Sequence, residues 1–442
     1  LNFQWDALLL ETFFLSMFFV PWKVFDSKND HNGPSRIGLW LLWLLIIKLM
    51  FQSGLVKFTF FGTDGSNTWR DLTALNYHYW TQPIPSWISY YVDKLPLVFD
   101  KISLVFTYFC ELFVPFLIFL PRRARRFSGI ILITFQFLII LTGNYGFFNL
   151  LTIIICFTLF DDQYLRNFLS RWFEADNISE KTGVYHKKLK YIFSILVILC
   201  FLTTTIFFVK RDIRGSALNQ VTASDQPSAF EKKILELAQV SRSMNAYGLF
   251  RVMTKTRPEI KIELQSENGQ WHPVIFKYKP GDERKRPPFF FPHMPRLDWQ
   301  IWFEALYYER LLSDPFALST YQNFLSTIVA KDLNINNIRI SDFLDEKARK
   351  TLDRLPPSEK NFYMNRLSTR INIYLNNSYW FSRLLSNIVS GNEVLIKHLN
   401  IDKELEYLNM KISLIQYSFD HSHNENWWKT KAINSFNIEL SN

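Results

Sequence analysis

The stretch "RRARRFSGIILITFQFLIILTGNYGFFNLLTIIICFTLF", residues 122–160, decides the fold that we predict for this chain. Its apolar part, residues 127–160, is too long for one helix across a hydrocarbon core of roughly 30 Å. The break TGNYG at 142–146 contains two glycines, which allow a tight turn. We therefore predict two short membrane spans, and the four arginines before them predict a cytoplasmic end.

Apolar segments of membrane-crossing length also occur on both sides of this stretch. They cover residues 7–22, 37–56, 97–120 and 189–209. Residues 1–210 therefore form a predicted bundle of about six spans, whereas residues 211–442 are rich in Lys, Arg, Asn, Asp and Glu. The predicted fold class is a multi-pass α-helical membrane bundle followed by an α+β aqueous domain.

Basic residues orient the predicted bundle, because Lys and Arg are enriched in cytoplasmic loops. The RRARR run at 122–126 and the basic connection at 161–190 both lie inside if the apolar stretch between them crosses twice. Residues 57–96 and everything after the last span then lie outside, in a periplasm or an organelle lumen. The sequence begins at Leu1 in an apolar context, and we expect that further residues precede it.

The aqueous half mixes helical and strand-like patterns. The 3.6-residue period predicts helices at 228–244, from about Asp298, and through most of the chain to about 410. β-rich segments predict strands at 249–254, 259–265, 271–279 and 411–419, with a hairpin turn at SENG between the second and the third. Asp298 is predicted in the first turn or at the N-cap of its helix.

Several classes of protein are disfavoured by what the sequence lacks. Cys110, Cys156 and Cys200 fall in predicted spans without a CxxC pair, so a dithiol oxidoreductase is excluded and the cysteines are interpreted as packing residues. No glycine-rich phosphate loop, GxSxG elbow, HExxH or EF-hand motif occurs. These absences disfavour common hydrolases and ATP-driven machines.

Neither a metal nor a cofactor is predicted. The HSH motif at 421–423, next to Asp420, is a weak signal for a metal site and is interpreted as a solvated turn. The net charge of +10 is explained by the cytoplasmic loops, so it does not predict binding to nucleic acid.

Charged residues within the predicted spans are costly and therefore informative. Glu11, Lys48 and Glu111 fall at about the same depth in three spans, roughly 12–17 Å from the inner end at 1.5 Å per residue. This common depth predicts that Lys48 pairs with Glu111, with Glu11 or with both. The cluster is either an internal ion pair that stabilises the bundle or a site for a proton or a substrate.

The outer connection TWRDLTALNYHYWTQPIPSW, residues 68–87, is unusually rich in aromatic residues. Amphipathic rings of this kind are favoured at a membrane interface. Arg70 and Asp71 either form a pair or cap local backbone, and His78 either acts as a general base near neutral pH or has a structural role. We interpret the stretch mainly as an interfacial cap that can also present a surface to a partner.

Several blocks of sequence resemble the lipase maturation factor family. In the first half they are FQWDALLLE (3–11), FQSGLVKF (51–58), TWRDLTALNYHYWTQPIP (68–85), ELFVPF (111–116), LTGNYGFFNLLTI (141–153) and DD (161–162). In the second half they are YGLFRVMTKTRPEI (247–260), FKYKPGDERKRPPFFFPHMPRLDWQIWF (276–303) and NWWKT (426–430). These blocks span nearly the whole chain in order. Relative to the family, the region of about 308–378 is interpreted as a helical insertion.

The resemblance implies a multi-pass membrane protein with a large lumenal C-terminal domain that assists the maturation of secreted proteins, by resemblance lipases. The membrane region of the family also resembles, distantly, that of vitamin K-dependent γ-carboxylases. A second hypothesis is therefore a membrane enzyme that acts on a lipid or a protein at the outer face, with His78 and the intramembrane acids at its centre. A transporter or scaffold is the third. The predicted partners are the lipid bilayer and a secreted client protein.

The candidate residues for client binding or domain docking combine aromatic rings and charges, as protein recognition surfaces do. They are Trp69, Arg70, Asp71, Tyr77, His78, Trp80, Asn144, Tyr145, Tyr247, Arg251, Arg257, Glu259, Lys277, Tyr278, His293, Arg296, Asp298, Trp299 and Gln300. The expected location is the endoplasmic reticulum membrane in a eukaryote or the inner membrane in a bacterium. The C-terminal domain is expected on the lumenal or periplasmic side.

Overall fold

In the computed structural model, the described residues are 3–20, 35–165, 187–214, 228–334, 338–344, 350–422 and 425–440, apart from single positions at 63, 162, 351 and 403. The chain forms two compact units. The first comprises Leu1–Tyr79, Tyr91–Lys255 and Phe289–Met294, and the second comprises Trp80–Tyr90, Thr256–Pro288 and Pro295–Asn442. The first unit thus includes the short segment Phe289–Met294 from the C-terminal half of the chain. The second unit includes Trp80–Tyr90 from the N-terminal half.

The first unit is helical. Its helices are α1 (Gln4–Phe19), α2 (Arg36–Thr59), α3 (Leu75–Thr81), α4 (Trp87–Val92), α5 (Leu97–Tyr108), α6 (Arg122–Thr142), α7 (Phe148–Cys156), α8 (Lys187–Arg214) and α9 (Ala229–Ser241). The short helices α3 and α4 each extend across a boundary between the two units.

Within the described ranges, four helices are long and apolar enough to cross a membrane. They are Arg36–Thr59, Leu97–Phe119, Arg122–Thr142 and Tyr191–Arg214, and the shorter Phe148–Leu159 is also apolar. The spans predicted at 37–56, 97–120 and 189–209 correspond to three of them. The predicted pair of spans within 127–160 corresponds to one full-length helix, α6, followed by the shorter α7. The segment predicted at 7–22 is the 16-residue helix α1.

The span that begins with α5 changes its hydrogen bonding in the middle. A π-helical turn covers Phe109–Phe113 and a 3-10 turn covers Val114–Phe119. Pro115 lies at the start of the 3-10 turn and lacks an N–H for the α-helical ladder, which accounts for the irregular turns around it. The π turn carries Glu111 and places this acid among buried residues.

The chain turns between α6 and α7 at the predicted TGNYG break. Gly146 has a φ of 59°, in the left-handed region that glycine adopts without strain. A Cβ atom at this position would lie only 2.5 Å from the Sδ atom of Met294. The turn therefore needs glycine both for its backbone angle and for its close contact with Phe289–Met294, a segment of the same unit.

The second unit is an α+β domain. In the described part of the chain, its antiparallel sheet has the strand order β2-β1-β3-β4, with β1 (Pro258–Ser266), β2 (Trp271–Pro273), β3 (Tyr407–Phe419) and β4 (Trp428–Glu439). Its helices are α10 (Arg296–Leu311), α11 (Pro315–Lys331), α12 (Pro357–Asn377), α13 (Tyr379–Val389) and α14 (Glu393–Leu399). The central pair, β1 and β3, runs from Pro258 opposite Gln416 to Ser266 opposite Tyr407.

One face of this sheet packs against helices to form the core of the second unit. Ile260, Ile262 and Leu264 of β1 are buried at alternating positions, as a strand with one face in the core requires. The helices contribute large buried side chains, among them Ile301, Tyr321, Phe324, Tyr374 and Phe381. Burying one such apolar side chain contributes roughly 1.5–3 kcal/mol, so this core is the main source of the unit's stability.

Three details of the aqueous half differ from the sequence predictions. Residues 249–254 form no strand, because Phe250 has a φ of 54°, which a β-strand does not contain. Of the strand predicted at 271–279 only Trp271–Pro273 forms a strand paired with β1, and the Val274 N–H donates one further bond to the Ile262 carbonyl oxygen at 2.9 Å. Strand β4 is absent from the prediction because most of its side chains are exposed, which weakens the apolar alternation.

The domain boundary at 210–211 and the insertion at about 308–378 stay predictions. Helix α8 ends at Arg214, close to the predicted end of the bundle, whereas the compact units divide at Lys255. Helix α9 and the residues after it therefore group with the first unit. Within the proposed insertion the described residues are mainly helical, in α11 and α12.

Glu304 of α10 is a carboxyl group within the core of the second unit. Its side chain is 3% exposed and accepts a hydrogen bond from the Tyr321 hydroxyl at 2.5 Å. Burial raises the pKa of Glu304 to about 7, although the hydrogen bond from Tyr321 opposes the shift. Because the folded state holds this proton more tightly than the unfolded state, the contribution of Glu304 to stability is lost as the pH rises from about 4.5 through 7.

We expect Glu304→Gln to raise the unfolding free energy at pH 8 more than at pH 5, because glutamine removes the cost of ionising a buried acid. The difference between the two pH values should be about 2–3 kcal/mol, at about 1.4 kcal/mol per pKa unit. Chemical unfolding of the detergent-purified chain, followed by circular dichroism, measures it. Glu359→Gln, at an exposed position of α12, is the matched control. An equal effect of Glu304→Gln at both pH values would show that ionisation of Glu304 is not the cause.

Candidate functional site

Glu11 and Lys48 form a buried ion pair inside the first unit. The Lys48 Nζ atom lies 2.8 Å from Glu11 Oε1, and both side chains are almost fully buried. The other oxygen, Oε2, accepts hydrogen bonds from the Tyr247 hydroxyl at 2.7 Å and from the backbone N–H of Asn245 at 2.9 Å. Lys48 also lies 4.7 Å from the ring centroid of Phe201. A charge taken out of water requires such partners, so the network links α1 and α2 to the segment after α9.

Glu111 does not join this pair. Its carboxylate accepts hydrogen bonds from the Lys57 Nζ atom at 2.5 and 2.7 Å, so the predicted contact with Lys48 is replaced by one with Lys57. Lys57 lies in the last turn of α2, donates to the Ser53 carbonyl oxygen at 3.2 Å, and lies 5.1 Å from the Trp69 ring centroid. The three residues of common depth thus divide between two ion pairs.

The first part of the 68–87 stretch is tied into the first unit. Trp69 is 4% exposed, and its indole N–H donates to the carbonyl oxygen of Phe250 at 2.8 Å. The guanidinium carbon of Arg70 lies 5.2 Å from the ring centroid of Phe58 and 5.4 Å from that of Phe61. Arg70 therefore interacts with aromatic rings at and just after the end of α2. The sequence predicts Asp71 as its partner instead.

His78 lies in an aromatic environment. Its Nε2 atom is 2.9 Å from the Tyr145 hydroxyl oxygen, and its ring centroid is 4.9 Å from that of Phe250 in an edge-on arrangement. Burial lowers the pKa of His78 to about 4, with a further contribution from the positive charge of Lys57. Burial also raises the pKa of Tyr145. The imidazole is therefore neutral at physiological pH, and among the described residues its hydrogen-bond partner is a phenol, not a carboxylate.

A second cluster surrounds Arg257, which is fully buried in the second unit. Its guanidinium donates to the carbonyl oxygens of Trp80 at 3.0 Å, Gln82 and Pro83 at 2.8 Å, and to the Glu259 carboxylate at 2.8 Å. Burial lowers the pKa of Arg257, and the Glu259 charge opposes this shift. One guanidinium thus binds carbonyl groups at the end of α3 and just after it, where the last carbonyls of a helix lack partners within the helix.

Lysine side chains extend this cluster. Lys279 Nζ donates to Glu259 Oε2 at 3.1 Å and to the Ile260 carbonyl oxygen at 2.7 Å. Lys285 Nζ in turn donates to the Lys279 carbonyl oxygen at 2.8 Å. Burial and the neighbouring Lys279 charge lower the pKa of Lys285 to about 8. The charged side chains of this cluster bind neighbouring backbone carbonyl groups and one another. They therefore hold these chain segments in position.

Asp298 also binds backbone. It lies in the first turn of α10, as predicted, but its carboxylate accepts hydrogen bonds from the backbone N–H groups of Tyr278 at 3.0 Å and Lys279 at 2.9 Å. It therefore fixes the loop before α10 and does not cap the helix. Its neighbour Trp299 is buried as well.

The predicted recognition residues fall into three groups by exposure. The buried ones are Trp69, Asn144, Tyr145, Tyr247, Arg257, Glu259, Asp298 and Trp299; the half-buried ones are Tyr77, His78, Trp80, Tyr278 and Gln300. The exposed ones are Arg70, Asp71, Arg251, Lys277, His293 and Arg296. Only the exposed and half-buried side chains can contact a partner without rearrangement.

The described residues contain no group of His, Cys, Asp and Glu side chains that could hold a metal ion. Asp420, next to the HSH motif, accepts hydrogen bonds from the backbone N–H and the hydroxyl of Ser422 at 2.9 and 2.6 Å. These bonds, together with Lys429, lower the pKa of Asp420 to about 2. His423 of the motif lies outside the described residues.

Three charged residues of these clusters, Lys57, Lys279 and Lys285, are missing from the sequence prediction. Lys57 is the penultimate residue of the block FQSGLVKF, and its position at the end of an apolar span is the available signal. Lys279 stands in a loop rich in charges, where nothing in the local pattern distinguishes a buried lysine from a solvated one. By contrast, Arg257 lies directly before β1 and Glu259 lies in it, and in extended chain a spacing of two residues places side chains on the same face.

Comparisons with known proteins identify two family models. The model described as the lipase maturation factor transmembrane domain matches residues 1–167, and that described as the lipase maturation factor C-terminal domain matches residues 243–333. Together the two matches cover more than half of the chain. Similar curated proteins are lipase maturation factor 2 of Xenopus tropicalis and of Gallus gallus, 33% and 31% identical, and lipase maturation factor 1 of Homo sapiens, 32% identical.

Each of these three alignments covers 69% of this chain, and they cover 55%, 54% and 53% of the respective relatives. The chain therefore spans about half the length of the curated relatives that it matches. No solved structure matches the chain significantly.

We expect Lys48→Met to lower the unfolding free energy by about 3–5 kcal/mol, because it leaves the Glu11 charge buried without its cation. The double variant Lys48→Met with Glu11→Gln should regain most of this loss, since the amide oxygen can still accept from Tyr247 and Asn245. Thermal unfolding of the detergent-purified chain measures both, with the exposed Lys94→Met as control. Unchanged stability of Lys48→Met would contradict the stabilising role of the pair.

Proposed function

Because the chain belongs to the lipase maturation factor family, we propose that it is a membrane-anchored factor that assists the maturation of secreted lipases. The observation that carries the proposal is the match of both parts of the chain, in order, to the two domain models of this family. The curated relatives named above carry the same description. A factor of this kind holds an immature client and needs an anchored, folded surface more than a reactive group.

The geometry around His78 favours this proposal over a membrane enzyme. A general base needs a pKa near the working pH, whereas the pKa of His78 is lowered to about 4. Its ring is hydrogen-bonded to Tyr145 and packed against Phe250. Glu11 and Glu111 of the bundle are likewise ion-paired, with Lys48 and Lys57 respectively. These residues have structural roles in the proposed function.

We further propose that the protein resides in the endoplasmic reticulum membrane, with residues 57–96 and the region after α8 on the lumenal side. The RRARR run at the start of α6 supports this orientation, because such runs are retained in the cytoplasm. A secreted client is folded in the lumen, so this topology places the second unit in the client's compartment.

The proposed function is tested by expressing the chain in cells that lack endogenous lipase maturation factors and that produce a secreted lipase. We expect the chain to raise lipase activity per mass of secreted lipase, with lipase mRNA unchanged. The variant His78→Gln should retain at least half of this effect, since an amide can replace the imidazole as partner of Tyr145. The amount of folded variant in the membrane is the control.

Two outcomes would contradict these expectations. No gain in lipase activity with the unchanged chain present in the membrane would refute the maturation role. A loss of about 100-fold or more in a stably folded His78→Gln variant is the effect of removing a general base, and it would restore the enzyme hypothesis.

Topology is tested with an added glycosylation site in the exposed turn between β1 and β2. Gln270→Thr creates an acceptor sequence that begins at Asn268, and we expect it to be glycosylated in microsomes. The native acceptor sequence at Asn376 is first removed by Asn376→Gln, and the native one at Asn177, on the predicted cytoplasmic side, should stay unmodified. Absence of an endoglycosidase-sensitive shift for Gln270→Thr, with modification at Asn177, would reverse the proposed orientation.

A further inference from the structure

The second unit carries an exposed cation held between aromatic rings, which we call the Arg286 site and define by Trp87, Tyr90, Arg286 and Trp427. The guanidinium carbon of Arg286 lies 4.7 Å from the ring centroid of Trp87 and 5.8 Å from that of Trp427. A guanidinium in this position is attracted by both indole faces. These contacts restrict a side chain that is otherwise flexible.

The rings that frame Arg286 are themselves held in place. The Tyr90 ring centroid is 4.7 Å from that of Trp427, and the Tyr90 hydroxyl donates to the Asp420 carbonyl oxygen at 2.7 Å. The backbone N–H of Trp427 donates to the carbonyl oxygen of Glu283 at 2.8 Å. The site is therefore assembled from three segments of the second unit and is ordered before any partner binds.

The hydrogen-bonding edge of Arg286 is available. The residue is exposed, and within the described ranges no carboxylate, carbonyl or hydroxyl oxygen accepts a hydrogen bond from it. This contrasts with Arg257, whose guanidinium has four acceptors. A planar guanidinium presents N–H groups in a fork that matches the two oxygens of a carboxylate. Because stacking has already ordered the side chain, binding costs less conformational entropy.

We propose that the Arg286 site binds a carboxylate side chain in an extended segment of a client protein, with an apolar neighbour of that carboxylate packing on the indole rings. This inference rests on the proposed function and names the chemistry by which a client is recognised. Trp, Tyr and Arg are the residues most enriched at the energetic centres of protein interfaces. The site combines all three types on one ordered surface.

A lipid headgroup is a poorer match for the same surface. Anionic membranes are attracted by clusters of solvated cations. Arg284 and Lys285 adjoin Arg286, but Lys285 Nζ is bound to the carbonyl oxygens of Phe276 and Lys279. Asp282, Glu283 and Glu425 add negative charge close by in sequence. The surface is thus of mixed charge around one framed guanidinium. That arrangement suits a single carboxylate within a polypeptide.

The test measures binding of two fluorescein-labelled peptides to the full chain in zwitterionic detergent by fluorescence anisotropy. One peptide has the core Leu-Asp-Leu-Asp-Leu between Gly-Ser flanks, and the other has Asn in place of Asp. We expect the Asp peptide to bind at least tenfold more tightly, and Arg286→Gln to abolish this preference. Arg286→Lys should keep only part of it, because lysine retains the charge and lacks the planar fork. Arg284→Gln, an exposed arginine of the same loop, should change affinity less than twofold.

Three results would overturn the inference: equal affinity for the two peptides, an equal loss with Arg284→Gln and Arg286→Gln, or Arg286-dependent binding to anionic phosphatidylserine vesicles without peptide binding.

In the lipase assay Arg286→Gln should lower the gain in activity several-fold at an unchanged amount of folded protein. Full activity of Arg286→Gln would refute the inference and leave the proposed function intact. If the unchanged chain gives no gain, the proposed function is wrong, and the client assignment of the Arg286 site is wrong with it.

Discussion

The need to pair buried charges is the constraint on which both units depend. Glu11 with Lys48 and Glu111 with Lys57 lie inside the helical unit, and Arg257 with Glu259 lies inside the other. Removing one partner of such a pair leaves an uncompensated buried charge, at a cost of several kcal/mol. Apolar contacts between helices in a bilayer are less selective, because lipid tails are as apolar as the side chains. The charged pairs therefore specify which helix faces meet.

The sequence predicts the positions of the helices better than the contacts between them. Apolar length and the TGNYG break place the spans, since these depend on composition over about 20 residues. The exchange of Lys48 for Lys57 as the partner of Glu111 depends on helix rotation and on the irregular turn near Pro115, which spacing alone does not encode. Strand β4 is stabilised by pairing with β3, a tertiary contact that overrides its weak local pattern.

The residues of the candidate site can likewise be recognised in the sequence more readily than their contacts. The aromatic signature of residues 68–87 was the strongest signal in the sequence, and its buried members serve the interior of the molecule. Trp69 and Arg257 bind backbone carbonyl groups, and His78 is neutral beside a phenol. The aromatic frame of Arg286 is not predicted from the sequence, because Trp87 and Trp427 are 340 positions apart in the chain and only the fold brings them together.

The segment Trp80–Tyr90 is built into the second unit although the rest of that unit begins at Thr256. Its contacts reach far along the chain: 177 positions separate Trp80 from Arg257, and 330 separate Tyr90 from Asp420. During synthesis, Trp80 can contact Arg257 only after 257 residues have been made, and Tyr90 can contact Asp420 only when nearly the whole chain has been made. The segment Trp80–Tyr90 therefore stays without its native contacts for much of synthesis. The second unit completes its fold only when the C-terminal strands β3 and β4 are present.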